Sequence, residues 1–93
     1  MIVRIATEGQ YRLSSTILDQ LNEMDDALVE SIGTYNQDEF ADKFTQMLDL
    51  VRNQGQKLTD NELLESDVIL PYPDISVEEA RRLFIGEGLV PND

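Results

Sequence analysis

The sequence predicts an α+β fold, in which an N-terminal β-hairpin and one further short strand pack against an antiparallel helical hairpin and a short C-terminal helix. Alternating apolar residues open the chain, and two long stretches with apolar residues at helical spacing follow. A short apolar run bounded by prolines then precedes a helix-capping sequence. The 93 residues, 41% of them hydrophobic, suit a single domain over residues 1–93 with one modest core.

Residues 2–6 and 10–13 are predicted to form the two strands of the hairpin. Their apolar residues alternate with other residues, which is the period of a sheet with one covered face. These residues are Val3, Ile5, Tyr11 and Leu13. Gly9 lies in the predicted turn and can supply the left-handed backbone conformation that a tight turn often needs.

The first helix is predicted to begin at Ser14 or Ser15, whose hydroxyl can cap its exposed amides, and to end at Gly33. Its apolar residues recur at helical spacing, and its acidic residues fall mainly on the other side. The apolar set is Ile17, Leu21, Met24, Leu28 and Ile32, and the acidic set is Asp19, Glu23, Asp26 and Glu30. We therefore expect an amphipathic helix with an acidic outer face.

The second helix is predicted to begin at Asn36, which forms a capping-box pattern with Glu39, and to stop at Gly55. Its apolar residues again recur at helical spacing. They are Phe40, Phe44, Met47, Leu48 and Val51. Because only about three residues join the two helices, they should pack antiparallel.

The periodicity weakens over residues 56–65, which we predict to be irregular, with one capped turn that carries Leu63 and Leu64 inward. Val68 and Leu70 are then expected to return to the sheet as an additional strand. The prolines that follow at positions 71 and 73 cannot donate a backbone hydrogen bond, so this strand should be short.

The last helix is predicted from the S-x-x-E capping box of Ser76 and Glu79. It should run through Phe84 and stop at Gly86 and Gly88. We interpret those two glycines as a helix C-cap and not as a phosphate-binding loop, because the pattern lacks the strand-turn-helix context and a lysine.

Charge and missing residue types narrow the function. Seven basic and nineteen acidic residues give a formal net charge of −12, which repels phosphate backbones and anionic lipids, so we expect no direct nucleic-acid binding and no direct membrane insertion. A basic partner surface would be attracted to this charge.

The absence of Cys and His removes thiolate nucleophiles and the commonest zinc ligands, so we predict no enzyme activity, cofactor or metal. With no disulfide, signal segment or apolar span, the cytoplasm is the expected location.

Two charged groups have a functional and a structural interpretation. Glu23, Asp25 and Asp26 could bind a cation or act in acid–base chemistry, but we favour a solvated helix face. Arg81 and Arg82 could bind an anion, but we favour an interaction with the helix dipole or links to nearby acids.

Four apolar residues near the C-terminus are the candidate partner-binding residues: Tyr72, Ile75, Leu89 and Val90. They lie among prolines and glycines in a segment that cannot form one regular helix. Two alternatives remain open for them, a lid folded back on the core or an apolar patch presented to a partner.

The segments IVRI at residues 2–5, EGQY at residues 8–11 and SDVILPYPDISVEEARRLFIGEGLVP at residues 66–91 resemble the PspA-associated proteins, the PspAA family. The resemblance covers essentially the whole chain. It implies a partner, PspA, which is the membrane-remodelling coiled-coil protein of the phage-shock response and a relative of ESCRT-III-like proteins. It implies no catalytic residues.

We therefore expect a non-enzymatic accessory or regulatory protein that binds a PspA-like coiled-coil protein in the envelope stress response. Any association with the membrane would run through that partner. One alternative is a small acidic binding module or a decoy that mimics nucleic acid, and another is a small enzyme that uses carboxylates. The sequence also leaves a homo-oligomer open.

Overall fold

A four-stranded sheet and a set of helices make up the part of the chain that the computed structural model describes, residues 1–59 and 64–83. The strands are β1 (Ile2–Ile5), β2 (Gly9–Arg12), β3 (Gln56–Lys57) and β4 (Val68–Leu70). The helices are a 3₁₀ turn (Ser15–Ile17), α1 (Leu18–Gly33), α2 (Gln37–Gln54) and α3 (Val77–Leu83). This arrangement confirms the predicted α+β class, the helical hairpin and the return of residues 68–70 to the sheet.

The sheet has the strand order β3-β2-β1-β4. β1 pairs antiparallel with β2 and parallel with β4, which places Arg4 between Gln10 and Ile69. The predicted hairpin is therefore confirmed. Its turn has positive φ at Gly9 (125°), as expected, and also at Thr7 (73°).

The core lies between one face of the sheet and the helices, and every apolar residue of the predicted α2 stripe is buried. The rings of Phe40 and Phe44 stack with their centroids 5.6 Å apart. The same cluster contains the buried residues Val3, Ile5, Tyr11, Val68 and Leu70 of the sheet, and Leu13, which follows β2. Burial of this apolar stripe is the main force that holds α2 in place.

The helices end where the sequence predicts, at Gly33 and Gly55, but the predicted start of the first helix is wrong: Ser14 caps the 3₁₀ turn, and α1 begins after Ile17 without a side-chain cap. The Asn36 side chain accepts a hydrogen bond from the Glu39 N–H at 3.0 Å, which confirms the cap of α2. Gly33 is still helical, and Gly55 has an extended conformation with φ −91° and ψ 156°. The left-handed residue between the helices is Tyr35, with φ 58°.

Three further local expectations are wrong. Residues 56 and 57 form strand β3 beside β2; both side chains are exposed, so no apolar pattern marked the strand. Leu64 is 40% exposed, because its backbone carbonyl faces the protein and accepts a hydrogen bond from the Gln10 side chain at 2.6 Å. Asp25 was assigned to a solvated face but is only 1% exposed, since it shares the buried line of α1 with Leu21 and Leu28.

None of the helices in residues 1–59 and 64–83 is long and apolar enough to cross a membrane.

Candidate partner-binding surface

Exposed apolar side chains gather around α3. Residues 1–59 and 64–83 include five large hydrophobic side chains that are exposed, and three of them lie here: Tyr35 (52%), Tyr72 (37%) and Leu83 (57%). Together with Arg81 and Arg82 we call these residues the α3 surface. Several large apolar side chains exposed around one short helix make this region the candidate interaction site.

Local sequence and packing explain how α3 presents this surface. The Ser76 hydroxyl accepts from the Glu79 N–H at 3.1 Å, and the Glu79 carboxylate accepts in return from the Ser76 N–H, which confirms the predicted capping box. The Val77 N–H donates to the side-chain oxygen of Gln37 at 2.8 Å and ties α3 to the start of α2. Val77 and Ala80 are buried, so the arginines that follow Ala80 face outward.

Two shallow hollows flank the outer side of α3. One has a volume of about 370 Å³ and is lined by Tyr35, Glu78, Arg81 and Arg82. The other has a volume of about 280 Å³ and is lined by Tyr72, Ile75, Glu79, Arg82 and Leu83. Arg82 lines both hollows, so the two are adjacent. The two volumes are at or below the lower end of the range that is typical of small-molecule pockets, which is about 300–1,000 Å³. Hollows of this size suit single side chains of a partner.

Arg81 and Arg82 lie in the last turn of α3, as expected, but neither forms an ion pair with a carboxylate in the described part of the chain. The guanidinium carbon of Arg81 lies 4.3 Å from the centroid of the Tyr35 ring, which is the geometry of a cation–π contact. Of the expected links to nearby acids, Arg82 has one with Glu79, whose pKa its positive charge helps to lower, whereas Arg81 contacts an aromatic ring instead.

Tyr72 is fixed to α3 by a hydrogen bond from its hydroxyl to the Glu79 carboxylate. This hydrogen bond is the main cause of two pKa shifts: it raises the pKa of Tyr72 and lowers the pKa of Glu79. Further hydrogen bonds from Ser76 also lower the pKa of Glu79. The Tyr72 ring is thus held at the edge of the second hollow.

The four predicted partner-binding residues fall in different places. Tyr72 belongs to the α3 surface. Ile75 is only 4% exposed and belongs to the core, where it forms part of the floor of the second hollow. Leu89 and Val90 lie outside the described residues. The role in partner binding stays a prediction for all four.

Tyr35 and Leu83 belong to the α3 surface but were not among the predicted partner-binding residues. Tyr35 is an aromatic residue in a connection of about three residues between two helices, where burial is difficult, and this was a usable signal. Nothing in the sequence indicated that Leu83 is exposed, because an apolar residue at the end of an amphipathic helix is usually buried in the core.

A second surface feature is the acidic stripe of α1: Asp19, Glu23, Asp26 and Glu30. All four are exposed, at intervals of four, three and four residues, and none forms an ion pair within residues 1–59 and 64–83. The acidic outer face predicted for α1 is therefore confirmed. In the same part of the chain, no group of three or more acidic residues is arranged to hold a metal ion.

Comparison with known families gives one match. The family model described as "PspA-Associated protein" (PspAA) matches residues 1–92 of the 93. The chain belongs to the PspAA family. The description of PspAA names an associated protein and no reaction. No curated protein and no solved structure matches the chain.

Proposed function

We propose that this PspAA-family chain is a non-enzymatic accessory protein that binds a PspA-like, ESCRT-III-related coiled-coil protein and tunes its assembly or activity in the envelope stress response. The observation that carries the proposal is the match of a PspA-associated family to 92 of 93 residues. In this proposal the protein works in the cytoplasm and reaches the membrane only through its partner.

The charge distribution supports a protein partner with a basic stripe. The four exposed carboxylates of the α1 acidic stripe have no cation of their own in the described residues, so they are available to an oppositely charged helix. Such complementarity mainly speeds association and fixes orientation. Affinity would come from a desolvated apolar centre, for which the α3 surface offers aromatic and arginine side chains of the type that dominates binding energy.

The chemistry of the chain supports binding over catalysis. The sequence has no His and no Cys, so the commonest proton-transfer and nucleophilic side chains are missing. Glu79, an exposed carboxyl group of the described residues, has a lowered pKa that is accounted for mainly by the hydrogen bonds from Tyr72 and Ser76. A general acid or base would instead need a pKa near the working pH.

The deciding experiment is co-elution of the purified chain with the PspA-family protein from the same genome. A complex should form at moderate ionic strength and weaken as salt rises, because exposed charges more than a Debye length of about 8 Å apart are screened at about 0.15 M salt. Replacement of the stripe by Asp19→Asn, Glu23→Gln, Asp26→Asn and Glu30→Gln together should slow association. Separate elution of the two proteins at every salt concentration would refute the proposal.

A further inference from the structure

We infer that the α3 surface is the docking site for an amphipathic helix of the partner, which presents an apolar side chain and, one turn away, a carboxylate. This inference rests on the proposed function, because it takes the partner to be helical. It goes further by naming the residues that make the contact and the side chains that they receive.

The unpaired arginines are the first support. In a chain with 19 acidic and 7 basic residues, a carboxylate is easy to find: Arg52 pairs with Glu8 at 2.7 Å and with Asp49 at 3.2 Å. Arg81 and Arg82 are adjacent and exposed, and neither forms a close ion pair in the described residues, although the charge of Arg82 helps to lower the pKa of Glu79. Two guanidinium groups are therefore left to accept a carboxylate from another molecule, which is the pairing that arginine geometry favours.

The backbone of Tyr35 is the second support. Its φ of 58° lies in the left-handed region, which a bulky residue adopts at a cost. Glycine or asparagine would fit this turn with less strain, but neither would provide a ring for Arg81. Tyr35 holds the guanidinium in position before binding, so less side-chain freedom is lost when a partner arrives.

The second hollow supplies the apolar part of the site. Ile75 forms part of its floor, and Tyr72 and Leu83 are exposed at its walls. The hydrogen bond from Tyr72 to Glu79 fixes one wall. A volume of about 280 Å³ is enough for a leucine-sized or aromatic side chain, whose burial there would remove apolar surface of both proteins from water.

A helix meets the requirement that Arg82 places on the occupant. Because Arg82 lines both hollows, the group that fills the apolar hollow and the group that meets the arginines must be neighbours in the partner. Residues three or four apart on a helix are such neighbours, at about 5–6 Å between Cβ atoms.

The test measures affinity of the full-length chain for the PspA-family protein from the same genome by titration calorimetry. Leu83→Ala, Tyr72→Ala and Arg82→Glu should each weaken binding about tenfold or more, the effect of removing a hot-spot side chain. All three positions are exposed, so melting temperatures should change little, apart from the small effect of losing the Tyr72–Glu79 hydrogen bond in Tyr72→Ala. Arg82→Lys should keep part of the affinity, because it keeps the charge but loses the two-pronged contact.

Two matched controls lie on the other face of the sheet. Ile69 is 59% exposed, almost the same as Leu83 at 57%, and Arg4 is exposed beside it. Ile69→Ala and Arg4→Glu should change affinity less than threefold. Equal losses at Ile69 and Leu83 would overturn the inference, because binding would then follow apolar exposure and not the α3 surface.

The outcomes also separate this inference from the proposed function. If the unaltered chain binds and the α3 variants bind equally well, the docking site is wrong and the function stands. If Leu83→Ala weakens binding but Arg82→Glu does not, the carboxylate part of the inference is overturned. If the unaltered chain shows no binding at all, the proposed function fails, and the inference fails with it.

Discussion

Gly55 is the position where the structure makes its sharpest stability prediction. A Cβ added there would lie 2.5 Å from the Val51 carbonyl oxygen, 3.0 Å from the Tyr11 Cβ and 3.4 Å from a Leu13 side-chain carbon. The backbone of Gly55, with φ −91° and ψ 156°, is one that alanine adopts freely. The expected cost of Gly55→Ala therefore comes from contact of the added Cβ with the last turn of α2 and with Tyr11 and Leu13, and not from the dihedral angles.

The size of the stability loss depends on whether the atoms that the new Cβ meets can move away. Val51 is fully buried and Tyr11 is 7% exposed, so relief of the clash requires a shift of packed backbone. Overpacking costs about 1–3 kcal/mol, and we take about 3 because the nearest atom belongs to the main chain. Alanine recovers up to about 1 kcal/mol by restricting the unfolded chain. The net loss is about 2 kcal/mol, or about 8–16 °C in melting temperature for a domain of this size.

The assay is equilibrium urea unfolding followed by circular dichroism, with Gly33→Ala as the matched control. No atom lies within 4 Å of a Cβ built on Gly33, and Gly33 is the last residue of α1. Gly33→Ala should therefore be neutral or stabilising by up to about 1 kcal/mol. A Gly55→Ala variant as stable as the parent would refute the reasoning, because it would mean that the packing around position 55 accommodates a Cβ without a clash.

Two further predictions concern local hydrogen bonds. Asn36→Ala should lower stability by about 1 kcal/mol in the same unfolding assay, because it removes the side chain that accepts a hydrogen bond from the Glu39 N–H. The control is Asn53→Ala, at an exposed position near the end of α2, which should have little effect. The hydrogen bond between Tyr72 and Glu79 should also make stability depend on pH. Because the pKa of Glu79 is lowered, its contribution to stability is present above the ordinary pKa of 4.5 and is lost as pH falls through the folded-state pKa. Because the pKa of Tyr72 is raised, its contribution is present below 10.0 and is lost as pH rises through the folded-state pKa. An NMR titration should show the Glu79 pKa moving back towards 4.5 in Tyr72→Phe, and an unchanged pKa would contradict the assigned hydrogen bond.

Features with a local cause were predictable from the sequence. The caps at Asn36 and Ser76 are each made with a residue three positions away, and the apolar residues of α2 recur at helical spacing. The acidic outer face of α1 follows from the same periodicity. Asp25 shows where that argument fails, because a carboxylate at a position geometrically suited to burial was assigned to water on its chemistry alone.

Only the tertiary structure decided what depends on contacts between distant segments. β3 has two polar, exposed residues and exists because the end of α2 brings them beside β2, and β4 pairs in parallel with a strand more than 60 residues earlier in the chain. The α3 surface likewise joins Tyr35, from the turn between two helices, to Arg81 and Tyr72. The sequence by itself determined the hairpin, the helices, the charge and the family resemblance, because these follow from neighbours along the chain. The partners of β3 and β4 and the residues that share the α3 surface depend on three-dimensional packing, which no local pattern encodes.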